Sequence, residues 1–481
     1  MQPHPGLVPR QAGDGILDAP QGIGADGGGQ VLRAVPRMGE VAQGWDSKAG
    51  VARRIAGVQI QDRRNRQAEP GRACIRGGDM GKRGSIAVLL ACEVGAMGVW
   101  FASAVVVALI RAEAGNAPGA AWLTAAVQAG FVLGTAGSAA LSLADRLDPR
   151  RLFAASALLA AAATAALALL PPTGPVQVLL RLLTGMCMAG VYPVGMRLAA
   201  TWALTGAKGD LGLLVGLLVA ALTLGSASPH LLGALPGLDW REVYLASAAL
   251  AAACGLGIGL CALGPNHVRA ARIDPRRMVQ AWRSRPLRLA NLGYLGHMWE
   301  LYAMWAWLGP FLLSSFTAAG VAQPGARAEA ATFAAIALGA AGAWGGGALA
   351  DRVGRTRVTA GAMLASAACA LLIGWLHGAA PALVIAVALA WGVAVIADSA
   401  QFSAAIAELA DPASVGTLLT LQTCMGFALT LVSIGLVPVV VGWAGWPGAF
   451  TMLAVGPLLG AAAMTLLRGD PAAARLAGGR G

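Results

Sequence analysis

Long apolar stretches follow one another from Ser85 to about residue 467, and they restrict the fold more than any other feature of the chain. Each stretch is close to the about 20 apolar residues that a helix needs to cross a bilayer. A single open strand leaves backbone polar groups unpaired in lipid, whereas a helix pairs them internally. The sequence therefore predicts an all-α integral membrane protein with twelve transmembrane helices, at 85–109, 120–143, 151–171, 176–203, 211–236, 242–263, 289–314, 329–350, 356–377, 381–405, 414–441 and 446–467.

The composition agrees with a membrane protein and not with a soluble domain. Hydrophobic residues make up 57% of the 481 residues and charged residues 12%, whereas a soluble domain has about 45–50% and about 25%. The net charge of +12 does not indicate a nucleic-acid partner, because 32 of the 35 basic residues are arginines, a skew typical of GC-rich coding. The seven cysteines form no C-x-x-C pair, so neither a metal site nor a cofactor is expected.

Residues 1–83 differ from the rest of the chain. They contain 13 Lys/Arg and 8 Asp/Glu and show no periodic apolar run, which predicts a disordered extension without a signal peptide. Met80 is also a natural start for the first helix, so a mis-assigned start codon is the other interpretation. The predicted organisation is 1–83 extension, 84–263 first six-helix bundle, 264–288 linker, 289–467 second six-helix bundle and 468–481 tail.

The distribution of basic residues predicts the orientation in the membrane. With the amino end inside, the inner loops and tail hold 17 Lys/Arg and the outer loops hold three. This bias predicts a multi-pass protein of the cell membrane with both termini in the cytoplasm. The inner segment 264–288 carries seven arginines and one acid. A positive-inside linker is the favoured interpretation, and a patch for anionic lipid is the alternative.

One loop motif occurs twice, at equivalent places in the two halves. The second copy runs from Gly347 through Asp351-Arg352 to Gly354-Arg355, and the first copy contains Asp145-Arg146. The two Asp-Arg pairs are 206 residues apart (351 minus 145). This spacing predicts two pseudo-symmetric bundles of six helices, related by an axis along the membrane normal.

On these residues the chain resembles the major facilitator superfamily, over about residues 85–467. The family signature is G-x-x-x-D-R-x-G-R-x-R; the second copy matches it fully, while the first has Leu141 for glycine and Asp148-Pro149 for Gly-Arg. The resemblance implies a secondary transporter with a cavity at the midplane between its halves. The motif is predicted to be a gating latch, with a topology anchor plus helix caps as the alternative; its members are Asp145, Arg146, Gly347, Asp351, Arg352, Gly354 and Arg355.

Ionisable side chains at membrane depth are the candidates for chemistry. Each costs about 2.5–3.5 kcal/mol on insertion scales and therefore needs a partner or a role. Glu93, Glu300 and His297 are predicted to carry protons, with His297 one turn before Glu300 on the seventh span. The alternative for each acid is a static hydrogen bond between helices.

Arg181 stands in Arg181-Leu-Leu-Thr-Gly185, which is similar to the R-x-x-x-G motif in the fourth helix of the superfamily. That resemblance implies an arginine facing the cavity, and its fork of donors suits an anion. Aromatic and polar residues of the spans complete the predicted substrate-binding set, although packing and interfacial anchoring are equally open for the aromatic ones. The set is Arg181, Tyr192, Trp100, Trp299, Tyr302, Trp305, Asp398 and Gln401.

The sequence thus predicts a carrier for a small anionic or polar solute, coupled to protons. A proton-driven exporter of drugs or metabolites is the first alternative, although the antiporter motif has Gly-Pro where span five has Pro229-His230. A solute sensor without turnover is the second. No enzyme is expected, since H-E-x-x-H, G-x-S-x-G and P-loop motifs do not occur. The expected partners are the lipid bilayer, the solute and protons, with no nucleic acid, and the chain is expected to be a monomer.

Overall fold

The computed structural model describes residues 81–114, 120–141, 143–203, 211–266, 278–411 and 414–481. These residues form helices and turns and include no strand, so the prediction of an all-helical protein is confirmed for this part of the chain. The predicted disordered extension lies outside the described residues up to residue 80, and so do residues 267–277 of the predicted linker.

Seven of the longer helices precede residue 264. They are α1 (Lys82–Ala114), α2 (Ala120–Leu141), α3 (Pro149–Ala168), α4 (Pro175–Met188), α5 (Tyr192–Thr201), α6 (Leu211–Gly233) and α7 (Trp240–Gly257). Several begin where the sequence carries a start signal. Proline occupies the first turn of α3 and α4, where its missing N–H costs nothing. Asp239 and Glu242 form a reciprocal capping box at α7.

The remaining long helices follow residue 284. They are α8 (Arg285–Ala318), α9 (Pro324–Val353), α10 (Arg355–Trp375), α11 (Pro381–Ala397), α12 (Ser399–Leu409) and α13 (Val415–Arg468). The 54 residues of α13 would extend about 81 Å if straight, far beyond the about 30 Å of hydrocarbon in a bilayer. The helix is interrupted at Gly445, whose backbone is left-handed (φ 66°, ψ −174°). This break falls between the predicted eleventh and twelfth spans.

In the part of the chain that the structure describes, ten helical segments are long and apolar enough to cross a membrane. Two of them, Pro175–Thr201 and Pro381–Leu409, join consecutive helices (α4 with α5, α11 with α12), and α13 is taken as one. The 34-residue helix α8, which contains Asn291, His297 and Glu300, is not among the ten. The protein is therefore a multi-pass membrane protein, and the count of twelve spans in two bundles stays a prediction.

Glycines allow the closest helix contacts. A Cβ atom on Gly185 of α4 would lie 2.0 Å from the carbonyl oxygen of Val127 in α2. A Cβ on Gly392 of α11 would lie 1.9 Å from the carbonyl oxygen of Ala335 in α9. The two glycines are 207 residues apart (392 minus 185), close to the spacing of the loop motif. Small residues thus allow the backbones to touch at corresponding places, as expected where lipid gives no hydrophobic drive for helix association.

Two pairs of helices contribute most of the contacts between the part before residue 264 and the part after 288 in the described chain. The helix α6 packs along α9, and α2 packs along α13. The helices α1 and α8 also contact each other. These contacts surround the cavities described next.

Candidate functional site

A central cavity of about 240 Å³ lies between α2, α5, α6, α8, α12 and α13. It is smaller than the about 300–1,000 Å³ of sites for drug-sized ligands. Its lining combines apolar side chains such as Met298 and Leu301 with hydroxyl groups, and it includes no charged side chain among the described residues. The hydroxyl-bearing residues are Thr135, Tyr192, Tyr294, Tyr302, Ser399, Ser403, Thr420 and Thr423.

Three tyrosines, Tyr192, Tyr294 and Tyr302, place their phenol groups among the polar side chains that line the central cavity. Tyr192 and Tyr302 were predicted from the sequence, and the structure places both in the cavity wall. Tyr294 was missed, although it lies only two helical turns before Tyr302 on α8. Within the described chain no side chain or backbone group forms a hydrogen bond with these three phenols. They are therefore free to donate hydrogen bonds to a solute and to accept them.

A second cavity, of about 530 Å³, adjoins the central one and shares Met196, Val215 and Ser403 with its lining. We call it the charged cavity, because Asp351, Arg355 and Glu408 line it. It also includes Gln401 and Gly347, which the sequence analysis assigned to the solute site and to the latch.

Arg355 is the centre of the polar network in the charged cavity. Its Nε and Nη2 donate to the two carboxylate oxygens of Glu408 (2.8 and 2.6 Å), and its Nη1 donates to Gln401 Oε1 (2.7 Å). Asp351 is farther away, 3.7 Å from Arg355, and its side chain is 64% exposed. Glu408 was not predicted, because it lies beyond the end of the predicted tenth span.

A latch requires contacts between the two halves of the protein. Among the described residues, the second copy of the loop motif makes other contacts. The ion pairs of Asp351 and Arg355 stay within the part after residue 288, and Arg352 is exposed. Gly354 adopts φ 105°, and a Cβ there would lie 2.5 Å from the carbonyl oxygen of Arg480 in the carboxyl-terminal tail. The side chain of Asp145 lies outside the described residues and Arg146 is exposed. The latch therefore stays a prediction.

The departure of the first motif copy from the signature has a local explanation. The side chain of Asp148 caps α3 by accepting a hydrogen bond from the backbone N–H of Arg150 (2.8 Å), with Pro149 in the first turn. The guanidinium of Arg150 also donates to this carboxylate, and these contacts hold the pKa of Asp148 below its usual range. Asp148-Pro149 thus starts a helix where the signature has Gly-Arg.

Glu93 on α1 is fully buried, and neither carboxyl oxygen has a hydrogen-bond partner among the described residues. It lies against Gly195 of α5, where a Cβ would be 2.5 Å from Oε2. Tyr192 of the central cavity is close enough for an electrostatic interaction with Glu93. Because an ionised carboxylate without a partner is very costly in such a place, these surroundings accommodate the neutral, protonated acid.

Glu300 on α8 is buried but fully partnered. Its Oε1 accepts a hydrogen bond from Trp391 Nε1 and its Oε2 accepts one from Ser366 Oγ, each at 2.8 Å. The carboxyl group therefore connects α8 to α10 and α11. This is the geometry of the static alternative considered from the sequence, and the proton-carrying role stays a prediction.

Substitutions of Glu300 separate its structural contribution from proton transfer. In Glu300→Gln the amide oxygen can accept from Trp391 while the amide nitrogen donates to the Ser366 hydroxyl. We expect this variant to unfold like the wild type. Glu300→Leu leaves Trp391 and Ser366 without partners, and we expect a loss of about 1–3 kcal/mol, measured by thermal unfolding in detergent. Equal stabilities for the Leu and Gln variants would contradict this assignment.

His297 contacts Asp398 and not Glu300. Its Nδ1 lies 2.8 Å from Asp398 Oδ1, and both side chains are almost completely buried. Asp398 occupies the junction of α11 and α12. Two of the predicted proton-coupling residues are thus in separate polar contacts, since side chains one turn apart on a helix can point to different neighbours.

Arg181 on α4 is fully buried and is held by backbone oxygens of α1. Its Nη1 donates to the carbonyl of Val99 (2.8 Å) and its Nη2 to that of Trp100 (2.6 Å). Neither Arg181 nor His297 is part of the described lining of the central cavity. The expected arginine facing a bound anion is therefore not seen in this conformation. The reason is that carbonyl oxygens of the neighbouring helix accept from its Nη1 and Nη2, while its buried Nε has no hydrogen-bond partner among the described residues.

An aromatic cluster, defined as Trp100, Phe101, Phe131, Tyr302, Trp305 and Phe427, closes one end of the central cavity. Ring centroids within it are 4.3–6.0 Å apart. Trp100 and Trp305, both predicted to bind solute, are buried in this cluster, and neither belongs to the described lining of the central cavity. Trp299 donates from Nε1 to the carbonyl of Met452 (3.0 Å). In this conformation the three tryptophans contact other protein groups, and their role in solute binding stays a prediction.

Comparison with known proteins identifies the family. No curated protein matches the sequence of this chain. The profile of the Major Facilitator Superfamily matches residues 89–428, from within α1 to the first part of α13. Members of this superfamily are generally transporters and not enzymes. The match covers more than two thirds of the chain and includes every residue that lines the central cavity. The chain therefore belongs to the major facilitator superfamily.

Proposed function

We propose that the protein is a secondary active transporter that moves a small polar solute by alternating access between two bundles of six helices. The observation that carries the proposal is the shared lining of the central cavity. Tyr192 and Val219 come from the part before residue 264, and Tyr294 and Thr423 from the part after residue 288. A relative movement of the two parts would therefore change access to the same site. The proposed setting is a monomer in the cell membrane with both termini in the cytoplasm.

The order of residues along α8 and α13 supports access from one side at a time. On α8, Leu301 lines the central cavity, Trp305 belongs to the aromatic cluster, and Pro310 lines a third cavity of about 370 Å³. On α13, Phe427 likewise precedes Ile434 of that third cavity, which we call the far cavity. The aromatic cluster thus separates the central cavity from the far cavity, while the charged cavity adjoins the central one.

The lining favours an uncharged solute with hydroxyl or amide groups. Burial of a charge without a partner is very costly, and the described lining contains no charged side chain to supply one. Of the two solute classes expected from the sequence, the polar one therefore has support from the cavity. The anionic one depended on Arg181, whose guanidinium donates to α1.

Binding of uncharged polyols and phenols by the purified protein tests the solute class. We expect them to raise the unfolding temperature, while carboxylates and phosphates of similar size do not. Tyr294→Phe and Tyr192→Phe should each weaken binding about tenfold, the effect of one lost hydrogen bond. Tyr244→Phe is the matched control, because Tyr244 bonds to Ser103 (3.2 Å) and does not line the central cavity. Binding by anions alone would contradict the proposed class.

Flux into proteoliposomes distinguishes the proposed carrier from its alternatives. Accumulation of the bound solute with an inward proton gradient supports a symporter, and extrusion driven by protons supports the exporter. Binding without flux under any gradient would contradict transport and support the solute sensor. Glu93 is the proposed proton carrier, because its buried carboxyl group has no hydrogen-bond partner in the part of the chain that the structure describes and lies close to Tyr192. Roles of Glu300 and His297 in proton coupling stay predictions.

A further inference from the structure

A buried histidine–glutamate contact joins α6 to α9. His230 Nδ1 lies 2.6 Å from Glu329 Oε2, and the two side chains are 1% and 9% exposed. The sequence analysis noted His230 but not Glu329, because Glu329 is the first residue of the predicted eighth span. Since α6 and α9 pack along each other across the two parts of the chain, this contact is broken whenever these helices separate.

The surroundings of the contact contain no other charge that could replace a lost partner. Gly309 of α8 faces both side chains, and a Cβ there would lie 3.7 Å from Glu329 Oε1 and 3.8 Å from His230 Cε1. Thr332 of α9 is next to them, and Val105 of α1 packs beside Gly233. In the described part of the chain no third charged side chain is within ion-pair distance, and Arg327 is exposed. His230 Nε2 is buried without a hydrogen-bond partner.

The contact lies on the far-cavity side of the aromatic cluster. Gly309 follows Trp305 of the cluster on α8 and adjoins Pro310, which lines the far cavity. Opening of the far side therefore requires that both the aromatic cluster and the contact come apart. Separation of a charged buried pair leaves two uncompensated charges, which is strongly unfavourable.

We propose that His230 and Glu329 form a proton-binding site that holds α6 against α9 on the far-cavity side. With a proton on each ring nitrogen, the imidazolium forms a charge-assisted contact with the carboxylate. Release of the Nε2 proton to water leaves a neutral imidazole, which keeps the hydrogen bond from Nδ1 to the carboxylate but loses the attraction between opposite charges. Deprotonation thus weakens the closure, and rebinding of the proton restores it. This inference rests on the proposed proton-coupled transport and adds a second proton site to Glu93.

Distances between spin labels test the site without any solute. In a cysteine-free full-length protein in lipid nanodiscs, labels at Leu235→Cys and Ala330→Cys report on the ends of α6 and α9, since both positions are exposed. Between about pH 6 and about pH 8.5, the range in which free histidine loses its charge, we expect the longer-distance population to increase at least about threefold. His230→Gln and Glu329→Gln should each abolish this pH dependence.

His377→Gln is the matched control, because His377 bonds to Ser314 (2.8 Å) and does not contact α6. It should keep the pH response of the wild type. A wild-type distance that does not change with pH would overturn the proposal, and so would a response that survives in both pair variants. Two pair variants are used so that misfolding of one does not decide the result. A pH-dependent distance without solute flux would contradict the proposed transport and leave this site standing.

Discussion

Glu93→Gln is expected to reduce proton-driven accumulation of the solute at least about tenfold. Exchange of the solute without a gradient should continue. The glutamine has nearly the same shape but cannot release a proton. Among the described residues, the wild-type side chain has no hydrogen-bond partner that the amide would lose. Binding of the solute should be preserved, because the hydroxyl groups proposed to bind it line the central cavity and Glu93 is not part of that lining. The measurement is uptake of radiolabelled solute into proteoliposomes, with an imposed proton gradient and in counterflow.

Glu242→Gln serves as the control for this experiment, because Glu242 is an exposed acid in the capping box of α7. It should leave accumulation unchanged. If Glu93→Gln accumulates solute like the wild type, Glu93 is not the proton carrier. Glu300→Gln, which keeps its two hydrogen bonds, then shows whether the predicted coupling role belongs to Glu300.

Gly346→Ala is expected to destabilise the protein severely, whereas Gly345→Ala is not. A Cβ on Gly346 would lie 2.0 Å from the carbonyl oxygen of Ala397, so α9 and α11 would have to move apart. Overpacking of this kind costs about 1–3 kcal/mol and occasionally more. Gly345 has nothing within 4 Å of its would-be Cβ, and alanine there should add about 0.5–1 kcal/mol through its helix propensity.

The two variants carry the same substitution at adjacent positions of α9. The difference between their stabilities therefore isolates the close backbone contact at Gly346. The measurement is thermal unfolding in detergent, together with the yield of monodisperse protein. Similar stabilities for the two variants would show that α9 and α11 do not touch at Gly346.

The positions of the helices were predictable because hydropathy and start signals are local properties of the chain. The predicted spans 211–236 and 356–377 correspond to α6 (Leu211–Gly233) and α10 (Arg355–Trp375). Proline and capping residues mark several helix starts. Hydropathy alone does not identify α8 as a membrane-spanning helix. The polar residues that suggest a function for this helix also make it less apolar.

The candidate site was predictable only in part. Tyr192 and Tyr302 line the central cavity, as expected for solute-binding residues. Arg181 is fully buried and donates to carbonyl groups of α1. Residues that line a cavity and residues that contact a neighbouring helix look alike in a sequence. The sequence shows that a polar residue lies in an apolar span, but it does not show in which direction around the helix axis the side chain points. A difference of one residue, or about 100°, decides whether a side chain faces a cavity or a neighbouring helix.

Residue order alone established a helical membrane protein with a repeated loop motif and a short set of ionisable residues at membrane depth. Helix packing decided which of these residues meet: Glu300 with Ser366 and Trp391, His297 with Asp398, and His230 with Glu329. The physical reason is that insertion into lipid depends on the apolar content of each segment, whereas partner choice depends on the rotation and contact of helices far apart in the chain. For that reason Glu93, which has no partner among the described residues, could be distinguished from the other predicted proton carriers, Glu300 and His297, only in three dimensions.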